Sequence, residues 1–258
     1  MANAALITGG AVRLGRAMAL RMAERGSDIV VHYASSDSGA KEVVAEAQVL
    51  GVNAVALQAD LLDEGAVAAL VPRAAAALGK PLDALINNAS IFEYDNMETA
   101  TSDSWTRHVD SNLRAPVFLT QAFAKQAPEA GHDGEPLASA NVINLIDQRV
   151  RKLTPEFLTY TIAKAGLWAF TKTAAQALAP RIRVNGIGPG PTLRGTRQTE
   201  EHFANQRKAT ILERGASPEE ICRALDFILD SPGFTGQLLC IDGGQHLAWR
   251  TPDIQGVE

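Results

Sequence analysis

Cysteine is scarce in this chain: 258 residues contain only Cys222 and Cys240. Two thiols cannot build a disulfide framework, and they read as core residues of a reducing compartment. The five histidines are scattered without ligand spacing, so no metal site is expected. Lysine and arginine are dispersed and the net charge is -5, which argues against nucleic acid or an anionic membrane as partner. No apolar run approaches membrane-spanning length. The start, Met1-Ala-Asn-Ala-Ala-Leu-Ile-Thr, lacks the charged and apolar regions of a signal peptide. Repeats and low-complexity segments are also missing. The expectation is a soluble, cytoplasmic protein.

Hydrophobic residues make up 46%, enough for a proper core. Short apolar runs at 4–8, 28–33, 54–58, 84–87, 141–146, 181–187 and 237–241 read as strands, and amphipathic helical sequence separates them. In the first helical stretch Leu14, Met18 and Met22 recur at helical spacing, and Gly26 is a suitable stop. Such alternation predicts right-handed βαβ units. The fold class is α/β: one Rossmann-type, doubly wound domain over 1–258, with a seven-stranded parallel sheet and helices on both faces. A cofactor half spans about 1–140 and a catalytic half about 141–250. The Pro- and Gly-rich stretch 127–139 reads as a surface loop, about 188–212 as a lid, and 250–258 as a tail.

The first strand runs into Thr8-Gly9-Gly10-Ala-Val-Arg13-Leu14-Gly15 and a helix. Glycines there let a diphosphate approach, and the helix N-terminus offers unpaired N–H groups to it. Farther on, Tyr160 and Lys164 lie four apart, on one face of a helix. A nearby ammonium favours the phenolate, so this pair can act as a proton-transfer device. Thr154 as N-cap and Pro155 at the first position are the expected start of that helix.

With these motifs the sequence resembles the short-chain dehydrogenase/reductase family over nearly its whole length. Further landmarks are Asp60-Leu61, Asn87-Asn88-Ala89-Ser90, Asn112, Arg183-Val-Asn185-Gly-Ile-Gly-Pro189-Gly190 and Asp242-Gly243-Gly244. Arg13 replaces the family's middle glycine, as in its pteridine reductase subgroup. The resemblance implies that Gly9, Arg13, Leu14 and Gly15 bind the cofactor diphosphate. Asp60 and Leu61 would meet adenine, and Asn88, Ala89 and Ser90 the ribose and nicotinamide side. Pro189, Gly190 and Leu193 would cover the nicotinamide amide. It implies Tyr160 as proton donor, Lys164 as modulator of its pKa and ribose ligand, and Asn112 as holder of a relay water. A homotetramer is the family's usual assembly.

The second strand ends Tyr33-Ala34-Ser35-Ser36, with no acid before Asp37, which reads as a helix cap. Arg13, Ser35 and Ser36 could hold a phosphate, so the expected cofactor is NADPH. Most of the family places Ser where this chain has Asp147. A carboxylate cannot donate a hydrogen bond unless protonated, and it would repel a developing alkoxide. Asp147 suits a ring nitrogen that must gain a proton, although it could instead cap a turn or pair with Arg149 or Arg151. Phe92 matches the pterin-stacking position of the pteridine reductases, where Ser90 is also common. The expected substrate is a pterin-like small molecule contacting Arg13, Ser90, Phe92, Asp147 and Tyr160, reduced at a C=N bond. A ketone, sugar or acyl substrate remains the alternative, and a cofactor-binding module without turnover is a second. Trp249 and Arg250 lie where a neighbouring subunit could reach a substrate site.

Overall fold

The computed structural model describes residues 3–195 and 198–249. Seven parallel strands form the central sheet: β1 (Ala4–Ile7), β2 (Asp28–Tyr33), β3 (Ala54–Gln58), β4 (Ala84–Asn87), β7 (Ala140–Leu145), β8 (Ile182–Pro189) and β9 (Leu238–Ile241). Their order is β3-β2-β1-β4-β7-β8-β9. All seven were legible as apolar runs, with ends displaced by one or two residues. The last two residues of β8, Gly188 and Pro189, lie inside the stretch expected to be irregular. They pair with Cys240 and Ile241, which extends the strand.

Strand side chains alternate between the two faces. Leu6, Val30, Leu85, Val142 and Val184 pack on one face beneath α3 (Glu64–Leu78), α5 (Ala115–Gln126) and α6 (Leu158–Leu178). Ile7, Val31, Ile86, Ile143 and Ile187 pack on the other beneath α1 (Arg13–Glu24), α2 (Asp37–Val49) and α8 (Pro218–Asp230). Each of these side chains is fully buried, which stabilises the fold by roughly 1.5–3 kcal/mol per residue. The helices cover both faces, so a continuous apolar strand is needed and alternation with polar residues is not.

Several turns differ from expectation. The 127–139 stretch contains an antiparallel hairpin of β5 (Gly131–His132) and β6 (Pro136–Leu137), tied by the Gly131 N–H to Ser139 Oγ at 2.9 Å. Ser36 is the N-cap of α2, and Asp37 is its first residue, held by the Tyr33 hydroxyl and Lys41. Helix α6 begins at Leu158, not near Thr154: Phe157 precedes it in the left-handed conformation, at φ 57°. Helices α4 (Ser102–Val109) and α5 are joined by a π-helical segment, Asp110–Arg114. Part of the expected lid is the short helix α7 (Glu200–Lys208). The expected tail and Arg250 lie outside the described residues. No helix among the described residues is long and apolar enough to cross a membrane, and no cluster of His, Cys, Asp and Glu among them could hold a metal ion.

Candidate active site

The sheet reverses its winding between β1 and β4, and the loops at the carboxyl ends of these strands meet there, where open α/β sheets bind ligands. Gly9 (φ 60°) turns the chain after β1. Gly15 lies so close beneath it that a Cβ would stand 2.0 Å from the Gly9 carbonyl oxygen. Helix α1 starts without a side-chain cap and without an acid in its first turn. Its first N–H groups are therefore available to an anion, and the turn fits a dinucleotide diphosphate. Thr8 Oγ1 accepts from the N–H groups of Asn88 (2.9 Å) and Ala89 (3.0 Å). Asn88 Nδ2 returns bonds to the Thr8 and Gly9 carbonyls at 2.9 and 3.1 Å. The β1 and β4 turns are thus one hydrogen-bonded unit.

His32 belongs to this unit, and sequence reasoning missed it. Its Nδ1 accepts from the Gly9 N–H at 3.1 Å, and Nε2–H donates to the Ala59 carbonyl at 3.1 Å. Burial lowers its pKa to about 4, so it stays neutral and keeps the lone pair that Gly9 needs. The only trace of it in the sequence was a polar residue inside an apolar strand.

Arg13 was expected beside Ser35 and Ser36 as a phosphate cation. Its guanidinium instead donates to the Leu193 carbonyl (3.1 Å) and the Arg194 carbonyl (2.9 Å). It therefore fastens the backbone at Leu193 and Arg194 to the turn after β1. Asp60 Oδ1 accepts from the Leu62 N–H at 2.9 Å, and Leu61 is buried. Gly190 follows β8, where a Cβ would lie 2.6 Å from Asp242 Cα.

Asp147, Tyr160, Ser90 and Phe92 do come together. The Tyr160 hydroxyl donates to Asp147 Oδ2 at 2.9 Å, and the Ser90 side chain beside it works to lower the phenol's pKa. Asp147 also caps the turn that follows β7: its Oδ1 accepts from the Arg149 N–H at 2.8 Å. Burial raises the Asp147 pKa, and the Arg149 N–H offsets this only in part. Burial, then the charge of Asp147, hold Tyr160 well above its ordinary value.

This corrects the expected pairing of Lys164 with the phenol. Lys164 Nζ donates to the Leu145 carbonyl at 2.7 Å and lies 5.7 Å from the Tyr160 ring centroid. A buried ammonium takes the carbonyl at the nearby strand end, and burial lowers its pKa to about 8. In the free protein the Tyr160 hydroxyl is hydrogen-bonded to Asp147.

Asn112 sits in the π-helical segment, and Ile91 engages its whole amide. Its Oδ1 accepts from the Ile91 N–H (2.9 Å) and its Nδ2 donates to the Ile91 carbonyl (2.8 Å). The side chain thus pins the loop between Ser90 and Phe92. The Phe92 ring stacks on Phe157 at 4.4 Å and 9° and meets the Tyr160 edge at 4.7 Å. Arg149 lies over Phe157 at 5.1 Å. Phe157 is a second residue that the sequence did not single out.

A family model described as Enoyl-(Acyl carrier protein) reductase matches residues 10–246. The chain belongs to the short-chain dehydrogenase/reductase family. L-rhamnose 1-dehydrogenase (NAD(P)(+)) of Sphingomonas sp. (strain SKA58) is 31% identical, covering 94% of this chain and 95% of its own. The 3-oxoacyl-(acyl-carrier-protein) reductase of Synechocystis sp. is 32% identical, covering 94% and 96%. Among solved structures, the FolM alternative dihydrofolate reductase 1 of Brucella suis in complex with NADP has a TM-score of 0.90 and 41% identity, covering 98% of both chains. Its Brucella canis counterpart, also complexed with NADP, gives 0.90 and 38% over the same shares. This short-chain dehydrogenase/reductase is an NADP-dependent oxidoreductase.

Proposed function

We propose that this oxidoreductase reduces a C=N bond of a pterin, dihydropterin or folate. The observation that carries this reading is Asp147 at the carboxyl end of β7, hydrogen-bonded to the Tyr160 hydroxyl. The ring nitrogen gains its proton through Tyr160, and Asp147, hydrogen-bonded to that hydroxyl and with its pKa raised by burial, takes part in the relay with Lys164. A serine there would suit a ketone oxygen. The likeness to two alternative dihydrofolate reductases points the same way.

NADPH supplies the hydride. Gly9, Leu14, Gly15 and the N–H groups of α1 hold its diphosphate. Asn88, Ala89 and Lys164 orient the ribose, Asp60 and Leu61 meet the adenine, and Pro189, Gly190 and Leu193 shield the nicotinamide. Ser35 and Ser36 face the 2′-phosphate. Phe92, backed by Phe157, gives the flat substrate a stacking surface. Arg13 closes the lid and reaches the substrate edge. Pro116 offers no N–H to the π-helical turn before it, and that turn, which carries Asn112, contributes to a water relay.

The deciding assay follows NADPH oxidation with dihydrobiopterin or dihydromonapterin beside a panel of ketones. Pterin turnover is expected, and turnover of ketones alone refutes the reading. A carbonyl substrate is the second reading, favoured by the names of the sugar and acyl relatives. In the same assay Asp147→Ser is expected to lose about 100-fold in pterin turnover while NADPH affinity persists. Equal turnover would remove Asp147 from the chemistry.

Lys164 predicts a pH dependence. Its ammonium is present below pH about 8 and lost as pH rises through that value. NADPH affinity of the free enzyme is therefore expected to fall above pH about 8, measured by nicotinamide fluorescence titration. Lys164→Met should bind weakly with no such limb, and a flat wild-type curve would sink the assignment. For stability, the unfolded chain holds this proton up to its ordinary 10.5. The cost of burying the ammonium is thus present below pH 8 and relieved between 8 and 10.5.

A further inference from the structure

Helix α6 carries Tyr160 in its first turn yet has no cap of its own. Its leading N–H groups are satisfied from the loop after β4. The Asp95 carbonyl accepts from the Leu158 N–H (3.2 Å), and Asp95 Oδ1 accepts from the Thr159 N–H (3.1 Å). Asp95 Oδ2 accepts from the Thr159 hydroxyl and from the Ser104 hydroxyl (3.0 Å). Asp95 is only 2% exposed.

One further link fixes the direction of these bonds. His108, fully buried, accepts the Glu93 N–H at Nε2 (3.1 Å) and lies 2.7 Å from Thr159 Oγ1 at Nδ1. Nε2 is the acceptor, so the ring proton is on Nδ1 and donates to Thr159. Thr159 then has its single hydroxyl proton for Asp95. Every donor in the chain Glu93 N–H, His108, Thr159, Asp95 points toward the carboxylate. The edge of the Tyr160 ring meets His108, with centroids 6.0 Å apart.

We propose that Asp95 is a positioning residue for the reaction: through Thr159 and His108 it fixes the first turn of α6 and the height of the Tyr160 hydroxyl over the site. This rests on Tyr160 as the proton donor. It goes beyond ordinary capping because a carboxylate is required. Asparagine keeps the shape but must place an NH₂ where the chain ends in an acceptor. The Thr159 proton would then turn to His108 and the imidazole proton to Nε2, against the Glu93 N–H.

The test is Asp95→Asn, with Thr159→Val beside it. Both are assayed on whichever substrate the wild type turns over, with NADPH affinity and thermal midpoint measured in parallel. Asp95→Asn is expected to lower kcat about 10- to 100-fold, to shift the limb of the kcat–pH profile that reports Tyr160, and to leave NADPH affinity unchanged. Thr159→Val should shift the same limb with a smaller loss. Variants with the wild-type kcat and pH profile overturn the proposal, even if their thermal midpoints fall. Should Asp95→Asn fail to fold, Thr159→Val decides by the same two readouts. A wild type that turns over ketones and no pterin refutes the pterin reading and leaves the Asp95 comparison intact.

Discussion

Tyr160→Phe is expected to lower kcat for the reduction about 1,000-fold, with NADPH affinity unchanged. The phenol is buried and gives its proton to Asp147 Oδ2 at 2.9 Å. Removing one oxygen deletes the hydrogen bond from helix α6 to that carboxylate, while the edge contact of the ring with Phe92 can persist. The loss is one of proton transfer, about 4 kcal/mol of transition-state stabilisation. It should therefore fall on kcat and spare KM. Stopped-flow measurement of NADPH oxidation separates this from a slowed product release. A variant with more than a tenth of wild-type kcat would take the proton donor's role away from Tyr160.

The second large effect is expected at Gly15→Ala. A Cβ there would stand 2.0 Å from the Gly9 carbonyl oxygen and 2.5 Å from Asn88 Nδ2. Neither neighbour can yield. Gly9 is in a tight turn and its N–H donates to His32, and Asn88 is held by the Thr8 and Gly9 carbonyls. Helix α1 must retreat, and its first N–H groups with it. NADPH affinity should fall about 100-fold, roughly 3 kcal/mol, and overpacking should lower the thermal midpoint by several degrees. Gly26→Ala is the control. It also forces a left-handed residue (φ 81°), but nothing lies within 4 Å of its Cβ. It should cost about 1 kcal/mol of stability and leave cofactor affinity alone. Equal affinity in Gly15→Ala and the wild type would show that the turn does not hold the diphosphate.

The sheet was legible because a doubly covered strand must be apolar throughout, and that pattern is local. The cofactor turn was legible for a similar reason: Gly9 and Gly15 answer a steric demand within seven consecutive residues. The start of α6 was not legible. Its cap, Asp95, lies 64 positions before Thr159, and Thr154-Pro155 offered a plausible local substitute. The partner of Lys164 was also misjudged. A spacing of four fixes where two Cα atoms stand, but a flexible lysine ends where a buried carbonyl needs it, here Leu145. Arg13 was placed correctly in the turn, yet its long side chain reaches Leu193 and Arg194. His32, Asp95 and His108 could not be singled out because each acts through a bond to another segment.

The parallel topology also divides the molecule by how freely it can vary. Every strand enters the site at its carboxyl end, so the returns from helix to strand all lie on the opposite rim. Gly26, Gly51 and Gly79 turn there with open space around them, and the Gly131–Leu137 hairpin stands on the same side, ahead of β7. Among the described residues, an insertion or a tether on that rim meets none of the groups proposed to handle cofactor or proton. The same chain can therefore acquire a docking arm or a fusion partner on one rim while the chemistry on the other stays fixed.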